Sequence, residues 1–588
     1  MSVLSETAGA ARKSAIVPGL QMVRSYRIGW LPHDVVAGLV LTTLLVPQGM
    51  AYAELAGLPA ITGLYTSILC LLGYAAFGPS RILVLGPDSS LGPMIAAVIV
   101  PIVGANGDPE RAIALASMLG LMVGAITTIG AIAKLGFVAD LLSKPTMIGY
   151  MNGLAITILI GQLPKLFGFS TDASGLVAET RAFVNGVANG DTVTAALAVG
   201  VVGLVVMVVL QRLWPKVPSV LAAVVISILA ASAFQLDEHG VKLVGALPQG
   251  FPPFTVPHVN GSDIPLLVGA AFGIALVSLA DTIATASAFA GRSGEEIDGN
   301  QEMLGVGAAN IAAGLFQGFP VSTSGSRTAV AAQVGAKTQV TGVVGALAIA
   351  MMLLFVPGLL RDLPQPTLAA VVIVASLSLA DIPGVVRLWR QRRTEFGLSI
   401  AAFLGVALLG VLPGIVIAVG LSVANVFRRS WWPYQTVLGR VPGLPGYHDL
   451  RSYPDAELLP GLVIFRFDAP LFFANARTFR DQVSKLAAAD PAPAWIVVAA
   501  EPITDVDTTA ADMLQSLDEA INAKGVSLVF AEMKDPVRRK IERYELTKTI
   551  DPGHFFPTLE SAVSAYRQET GARPPDPEPF EAPASGSS

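Results

Sequence analysis

Two polar interruptions break the apolar part of this sequence, LGPDSSLGP at residues 85–93 and FPVSTSGSRT at residues 319–328. Each lies within a long apolar stretch and contains glycine and proline residues, which typically end helices. Irregular backbone at the depth of a membrane is tolerated only where it is buried in protein or lines a cavity. Paired broken helices in corresponding halves of a chain are the best sequence indication of a transporter's binding site. The two interruptions therefore predict a transport fold built from two repeats.

The composition indicates a membrane protein. Of the 588 residues, 53% are hydrophobic and only 14% are charged, and the mean hydropathy is +0.62. A soluble chain carries about 25% charged residues. The net charge of −5 argues against a nucleic-acid partner. The only cysteine is Cys70, so no disulfide framework is expected. Because no signal-peptide pattern precedes the first apolar run, near Val35, we expect that run to remain in the mature protein.

Apolar runs long enough to cross a membrane recur through residues 31–430, and we count seven in each half. They lie near residues 35–54, 61–78, 83–101, 112–133, 146–163, 193–211, 218–235, 266–290, 302–318, 325–336, 340–360, 367–380, 396–410 and 412–427. The two interrupted runs are the third of each half. Because seven is odd, the second half is predicted to have inverted topology. The predicted fold is an α-helical polytopic membrane protein with 14 transmembrane segments arranged as 7+7 inverted repeats.

The distribution of lysine and arginine residues sets the orientation of these spans. Placing the N-terminus in the cytoplasm gives the cytoplasmic side about a threefold excess of basic residues, in both halves. A single miscounted span in the first half would invert the pattern downstream, whereas two compensating errors would not be detected. We therefore predict a multi-pass protein of the inner (plasma) membrane with both termini in the cytoplasm, including a cytoplasmic segment at residues 1–30.

Residues 440–567 are charged and alternate between strand and helix patterns, which predicts a small cytoplasmic α/β domain. The predicted strands are residues 462–467, 495–500 and 527–531, and the predicted helices are residues 478–488, 510–523 and 536–544. No glycine-rich phosphate loop and no His/Cys cluster is present in this part of the sequence, so no cofactor is expected. Residues 571–588 are rich in Pro, Glu and Ser and are predicted to be a disordered tail.

The stretch LVPQGMAYAELAGLP at residues 45–59 resembles the first-helix signature of SulP transporters, which are the sulfate permeases and solute carrier 26 anion exchangers. Further matches are GLY at 63–65, GPSR at 78–81, DGNQE at 298–302 and the second interruption, and residues 440–567 resemble the STAS domain of this family. The resemblance implies a core bundle (spans 1–4 and 8–11) that moves against a gate bundle (spans 5–7 and 12–14). It also implies a homodimer.

Polar groups at the two interruptions are the candidate ligands of an anion. Ser89 and Ser90 are expected to cap the half-helix that follows them, so that free N–H groups face a cavity. Arg327 carries a fixed charge that costs at least about 2.5–3.5 kcal/mol within a membrane. The resemblance places it behind the anion pocket, and it can also pair with a buried acid such as Asp88 or Asp281. The predicted substrate-binding residues are Gln48, Asp88, Ser89, Ser90, Thr323, Ser324, Gly325, Ser326 and Arg327. Gln48 follows the helix-breaking Pro47, and a hydrogen bond between helices is an equally good role for it.

Asp281 is the best candidate for the coupling-ion site. It lies in the middle of a span, and Thr285, four residues later, shares its helix face. An acid at this depth can take up a proton or coordinate a cation such as sodium. Glu54 is the second buried acid. Sodium-coupled bicarbonate members of the family resemble this chain at Asp281 and Thr285 but differ from it at residues 323–325.

The segment Asp507-Thr508-Thr509-Ala510 lies between a predicted strand and a predicted helix. It resembles the loop of STAS proteins in which a Ser or Thr is phosphorylated during partner switching. Phosphate at Thr508 or Thr509 would lie at a helix N-terminus, where negative charge is favourable. The alternative is a structural helix cap. A cytoplasmic partner of this domain is the corresponding partner prediction.

Several functions remain compatible with these features. Secondary transport of a small inorganic anion fits best, with sulfate ahead of bicarbonate, coupled to protons or sodium. An anion exchanger, an anion channel or a voltage-responsive motor could use the same scaffold. Arg327 and the STAS-like domain disfavour a nucleobase carrier. An enzyme is not expected because the sequence contains no nucleophile–base pair or cofactor motif. No metal site is expected because the five histidines lie outside the spans.

Overall fold

The computed structural model describes residues 17–104, 107–137, 143–171, 173, 175–214, 217–293 and 297–572. The chain forms two compact units that divide between Val423 and Ala424. The predicted disordered tail lies outside the described residues except for residues 571 and 572. Residues 1–16 of the predicted N-terminal segment also lie outside them.

The first unit is almost entirely helical. Its first half contains a two-residue strand and these helices: α1 (Pro18–Ser25), α2 (Leu31–Leu55), α3 (Ala60–Phe77), β1 (Leu85–Gly86), α4 (Gly92–Val103), α5 (Pro109–Ile132), α6 (Lys144–Leu166), α7 (Leu176–Asn189), α8 (Thr194–Leu213) and α9 (Ser219–Phe234). Its second half contains α10 (Ile264–Ser293), α11 (Gly299–Gly314), β2 (Ser322–Thr323), α12 (Gly325–Val334), α13 (Val340–Phe355), α14 (Gln365–Leu379), α15 (Ile382–Gln391), α16 (Arg393–Leu409) and α17 (Val411–Trp431).

Every predicted apolar run coincides with one of these helices, and the polytopic helical fold is confirmed. Within the described residues, 8 helices are long and apolar enough to cross a membrane. The interrupted runs are shorter, since α4 has 12 residues and α12 has 10. A helix rises 1.5 Å per residue, so each of these two helices covers only part of a bilayer. The number of fourteen crossings stays a prediction.

The structure departs from the sequence prediction at one proline and at three short helices. The predicted break at Pro47 is wrong, because α2 continues through it. Neighbouring helices and local adjustment can compensate for the hydrogen bond that a proline removes. Helices α1, α7 and α15 lie outside the predicted runs because short amphipathic helices do not form continuous apolar stretches. Helices α7 and α15 occupy equivalent places, one after the fifth predicted span and one after the twelfth.

Close packing of the helices depends on small residues at their crossings. A Cβ atom added at Gly63 would lie 1.9 Å from the carbonyl oxygen of Gly49, so α2 and α3 touch backbone to backbone. A Cβ atom at Gly149 of α6 would lie 1.9 Å from the carbonyl oxygen of Ser399 in α16. Helices within membranes associate through such small residues, because no hydrophobic effect drives them together there.

The two interruptions meet in a short antiparallel ladder. Leu85 pairs with Thr323, and Gly86 pairs with Ser322. The backbone N–H of Ser324 donates to the carbonyl oxygen of Val84 at 3.0 Å, which extends the contact by one residue. The ladder satisfies backbone groups that helix breaks would otherwise leave unpaired at this depth. It also brings the first turns of α4 and α12 to one place.

The second unit is an α/β domain built on one mixed sheet, as predicted. The strands are β3 (Gln435–Arg440), β4 (Tyr447–Asp449), β5 (Leu462–Phe467), β6 (Trp495–Ala499), β7 (Ser527–Ala531) and β8 (Phe555–Phe556), in the spatial order β4-β3-β5-β6-β7-β8. The helices are α18 (Ala476–Ala487), α19 (Thr508–Asn522), α20 (Asp535–Arg543) and α21 (Leu559–Thr570). The three predicted strands are the parallel centre of the sheet, and separate apolar cores cover its two faces.

Candidate anion site at the paired broken segments

The candidate site is built where α10 packs against the ladder. The Ser278 hydroxyl of α10 donates to the carbonyl oxygen of Val321 at 2.9 Å, and the hydroxyls of Thr282 and Thr323 are 2.9 Å apart. The side chain of Asn310 in α11 accepts a hydrogen bond from the Val321 backbone N–H at 3.0 Å. Side chains from two neighbouring helices therefore hold the second interruption in place.

The N-terminus of α12 is the better candidate for an anion-binding group. Its N-cap is Ser324, whose hydroxyl accepts from the backbone N–H of Arg327 at 3.5 Å. Gly325 and Ser326 are exposed, and neither backbone N–H donates to an acceptor among the described residues. Free N–H groups and the positive end of the helix dipole attract anions. The Ser326 hydroxyl, 3.1 Å from that of Ser324, adds a further donor at this end.

The N-terminus of α4 differs because the main chain of Asp88 already accepts from its first N–H groups. Asp88 accepts from the Ser90 backbone N–H at 2.9 Å through its side chain, and its carbonyl oxygen accepts from Leu91 and Gly92. The expected capping by Ser89 or Ser90 is therefore wrong. The residue at the N-cap is Leu91, which has no side-chain cap.

Arg327 lies in the interior between the two segments, with its side chain 1% exposed. Its Nη2 atom donates to the carbonyl oxygen of Pro87 at 2.7 Å and lies 4.0 Å from the Asp88 carboxylate. Its Nε and Nη1 atoms have no hydrogen-bond partner among the described residues. Leaving a buried donor unpaired costs about 1–3 kcal/mol, and more for a charged group. Both sequence-based roles for Arg327 are therefore geometrically compatible, since it contacts an acid and retains unused donors.

The Ser90 hydroxyl links Asp88 to Asp281. Its oxygen lies 2.7 Å from Oδ1 of Asp88 and 3.2 Å from Oδ2 of Asp281. A hydroxyl has only one proton to donate, so it cannot satisfy two ionised carboxylates at once. The arrangement is satisfied if Asp281 carries a proton and donates it to the Ser90 oxygen, or if a bound cation lies between the carboxylates.

Three other predicted site residues lie around or away from this cluster. Thr285 is beside Gly325, where an added Cβ atom would be 3.8 Å from the threonine hydroxyl. Gln48 on α2 is partly buried. Glu54 lines a separate cavity of about 1060 Å³, to which neither interruption contributes. Its carbonyl oxygen accepts from the Lys165 ammonium at 3.2 Å.

Sequence reasoning missed a fully buried carboxylate, Asp34, that fixes the far end of the α12 region. It accepts from the backbone N–H groups of Lys337 and Thr338 at 2.7 and 3.1 Å. It also accepts from the hydroxyls of Thr338, Thr341 and Tyr26. These contacts join the start of α2 to the turn between α12 and α13. Asp34 lies just before the first predicted apolar run, and only the fold shows its partners.

In the second unit, Asp507 is the N-cap of α19. Its side chain accepts from the backbone N–H of Ala510 at 2.8 Å and from that of Phe473 at the same distance. Thr508 and Thr509 follow it and are exposed. The capping role therefore belongs to Asp507, and phosphorylation of either threonine stays a prediction.

Comparisons with known proteins agree with this architecture. The sulfate permease family model matches residues 31–402, and the STAS domain model matches residues 453–562. A probable sulfate transporter of Mycobacterium tuberculosis is 41% identical over 552 residues, covering 94% of this chain and 98% of that protein. Probable sulfate transporter 3.3 of Arabidopsis thaliana is 30% identical over 573 residues, covering 94% and 90%.

Two solved structures share the fold. The murine solute carrier 26 family member A9 anion transporter, in an inward-facing state, superposes with a TM-score of 0.87 at 24% identity, covering 96% of this chain and 97% of that one. The transmembrane domain of the cyanobacterial bicarbonate transporter BicA gives a TM-score of 0.59 at 21% identity, covering 67% and 99%.

Proposed function

This chain belongs to the sulfate permease family of multi-pass membrane anion transporters, and we propose that it is a secondary active transporter of sulfate. Its similarity to proteins named sulfate transporters supports that substrate. Its 21% identity to the bicarbonate transporter is too low to favour the alternative.

The observation that carries the proposal is the set of unused donors around the N-terminus of α12. The backbone N–H groups of Gly325 and Ser326 and two nitrogen atoms of Arg327 have no acceptor among the described residues. A sulfate ion offers four oxygen acceptors and has no hydrogen to donate, so it can pair with several unused donors of the protein at once. The charge of Asp88 offsets that of Arg327, which leaves the positive helix end to favour a dianion.

We attribute transport to alternating access, with the core bundle moving against the gate bundle as in the family. The ladder, α4, α10 and α12 all belong to the predicted core. The short ladder and its side-chain supports would keep the anion-binding groups together while the core moves. Placement of both termini in the cytoplasm, insertion in the inner membrane and assembly as a homodimer complete this proposal.

Coupling to a cation is assigned to Asp281. Bringing a dianion into a cell with a negative interior costs about 2.3 kcal/mol per charge for each 100 mV. A positive charge that moves with the anion reduces this cost. The shared Ser90 hydroxyl supports a proton on Asp281 as the simplest arrangement, with sodium as the alternative.

Uptake by reconstituted proteoliposomes tests both parts of the proposal. Labelled sulfate and bicarbonate are supplied under imposed proton or sodium gradients, to wild type and to Asp281→Asn. The variant should lose gradient-driven accumulation and retain sulfate exchange, because asparagine keeps the size but neither the charge nor the titratable proton. Asp263→Asn, which removes an acid paired with exposed Arg111, is the matched control.

Two results would contradict the proposal in different ways. Undiminished concentrative uptake by Asp281→Asn would move the coupling site elsewhere, and Glu54→Gln would be measured next. Accumulation of bicarbonate without sulfate by the wild-type protein would overturn the substrate and leave the anion site itself intact.

A further inference from the structure

Helix α15 has an apolar stripe that the other described residues leave uncovered. It connects α14 to α16, and its N-cap Asp381 accepts from the Gly384 backbone N–H at 2.8 Å. Gly384 and Leu388 are buried against the protein. Ile382, Val386 and Trp389 follow a helical spacing on another face, and all three are exposed, Ile382 to 61%. The helix therefore packs by one face and presents a second apolar face outward.

A basic stripe borders this apolar stripe. Arg387 and Arg390 are exposed, and neither forms an ion pair with a described residue. At 3.6 residues per turn they lie about 100° round the helix from the centre of the apolar stripe. The Arg393 guanidinium lies 5.4 Å from the centre of the Trp389 ring and adds charge at the same end.

A groove of about 590 Å³ runs along the junction of the two stripes. It is lined by Ile382, Pro383, Val386, Arg387, Arg390 and Gln391. Aliphatic side chains form one wall, and the side chains of Arg387 and Arg390 contribute to the other, mainly through their aliphatic parts. This pairing matches an amphiphile that carries hydrocarbon next to a negative group.

Helix α7 provides a comparison within the same chain. It occupies the equivalent place in the first repeat, and it also exposes apolar side chains, including Val177 and Val184. Its charged residues are Glu179 and Arg181, which cancel. The repeat therefore accounts for a short helix at this place, but the excess of arginines is particular to α15.

We propose that α15 binds an acidic phospholipid of the cytoplasmic leaflet, with the lipid phosphate at Arg387 and Arg390 and an acyl chain along Ile382 and Val386. Helices that have an apolar face beside a basic face lie in the plane of a membrane interface. Arginine residues close to an anionic membrane surface add affinity for acidic lipids. Charge complementarity therefore selects an acidic lipid over a zwitterionic one. Because α15 lies within the predicted gate bundle, lipid bound there would contact the part of the transporter against which the core moves.

Native mass spectrometry of the full chain in detergent tests this site. The purified protein is titrated with phosphatidylglycerol or phosphatidylcholine, and bound lipids are counted. The variant Arg387→Gln/Arg390→Gln should bind phosphatidylglycerol roughly 30-fold more weakly, from a factor of about five for each arginine near a charged surface. Phosphatidylcholine binding should change little.

Two matched variants make the result specific. Arg477→Gln/Arg480→Gln removes the same charge from α18, where both arginines pair with Asp481, and should bind phosphatidylglycerol like wild type. Arg181→Gln on α7 should also behave like wild type, whereas Arg390→Gln alone should lose about fivefold. Circular dichroism confirms that each variant is folded.

Three outcomes would overturn the proposal. The first is an unchanged preference for phosphatidylglycerol in Arg387→Gln/Arg390→Gln. The second is an equal loss in the α18 variant, which would show a general charge effect. The third is full competition by soluble glycerol phosphate at the lipid concentration, which would show a small-anion site that does not use the apolar stripe.

Discussion

Replacing Gly86 with alanine should disturb the anion site without unfolding the protein. A Cβ atom at this position would lie 2.8 Å from Nη1 of Arg327, whereas ordinary contacts begin at 3.4 Å. The guanidinium must therefore move by about 0.6 Å in this geometry. A shift of this size along the bond would lengthen the 2.7 Å contact from Nη2 to the Pro87 carbonyl to about 3.3 Å, just outside the usual range for N–H···O bonds, and so weaken it. A hydrogen bond to a charged group contributes about 1.5–3 kcal/mol.

That free energy corresponds to a change of roughly 10- to 150-fold in an equilibrium constant. We expect this change to appear as a higher KM for sulfate. The protein should stay folded, because the displaced group is the end of a flexible side chain and the backbone can stay in place. The thermal stability of the purified protein should change little. Uptake by proteoliposomes gives KM, and a thermal-shift measurement gives stability.

Gly345→Ala in α13 is the matched control. The nearest atom to its added Cβ atom would be 3.6 Å away, which is an ordinary contact. Its KM should equal that of wild type. A wild-type KM for Gly86→Ala would refute the inference that the position of Arg327 determines anion affinity. A large loss of stability in Gly86→Ala would instead show that the ladder cannot absorb the methyl group.

Three further predictions concern Arg327 and the C-terminal domain. Arg327→Ala should abolish uptake while membrane insertion stays nearly intact, and a well-inserted variant with wild-type uptake would contradict this. Removal of residues 440–588 should leave the membrane unit folded but change its rate or abundance, as measured by uptake and immunoblotting; a truncated protein normal in both would show that the domain is dispensable. In that domain, burial raises the pKa of Asp518 to about 6, although Asn522 donates a hydrogen bond to it. The folded state therefore favours the protonated acid. The resulting contribution to the free energy of unfolding is at most about 3 kcal/mol; it is complete below about pH 4 and is lost as the pH rises through 6. Asp518→Asn should flatten the pH dependence of unfolding in the separately expressed residues 433–572, and an unchanged profile would exclude this origin.

The repeated helical architecture could be predicted because long apolar runs and the distribution of basic residues report directly on a membrane. Strands β5 and β7 were predicted to the residue, since each is a short apolar run between turn residues. Helices α7 and α15 could not be found in the same way. Each places polar groups on one face, so a sliding measure of hydropathy averages the two faces together.

The composition of the site was more predictable than its connections. Arg327 and Asp281 were proposed from the cost of placing charges within a membrane, and Asp88 and Ser90 from the first interruption. The sequence did not indicate that Ser90 stands between two acids, because that contact joins residues 191 positions apart. It also did not distinguish the two half-helices, since both follow a glycine-containing interruption with serines. Only the hydrogen bonds of Asp88 show that one of them is already capped.

This inequality between the half-helices explains how two inverted repeats can form one anion site. If both ends were free, two positive helix termini would lie near Arg327, and the empty site would hold unbalanced positive charge. The Asp88 carboxylate places a negative charge beside the start of α4 and faces Arg327, whereas the first two N–H groups of α12 have no acceptor among the described residues. The same carboxylate places a negative charge beside Ser90 and Asp281, which favours a proton or cation there. We therefore propose that Asp88 separates an anion-binding group of donors at α12 from a cation-binding group at Asp281.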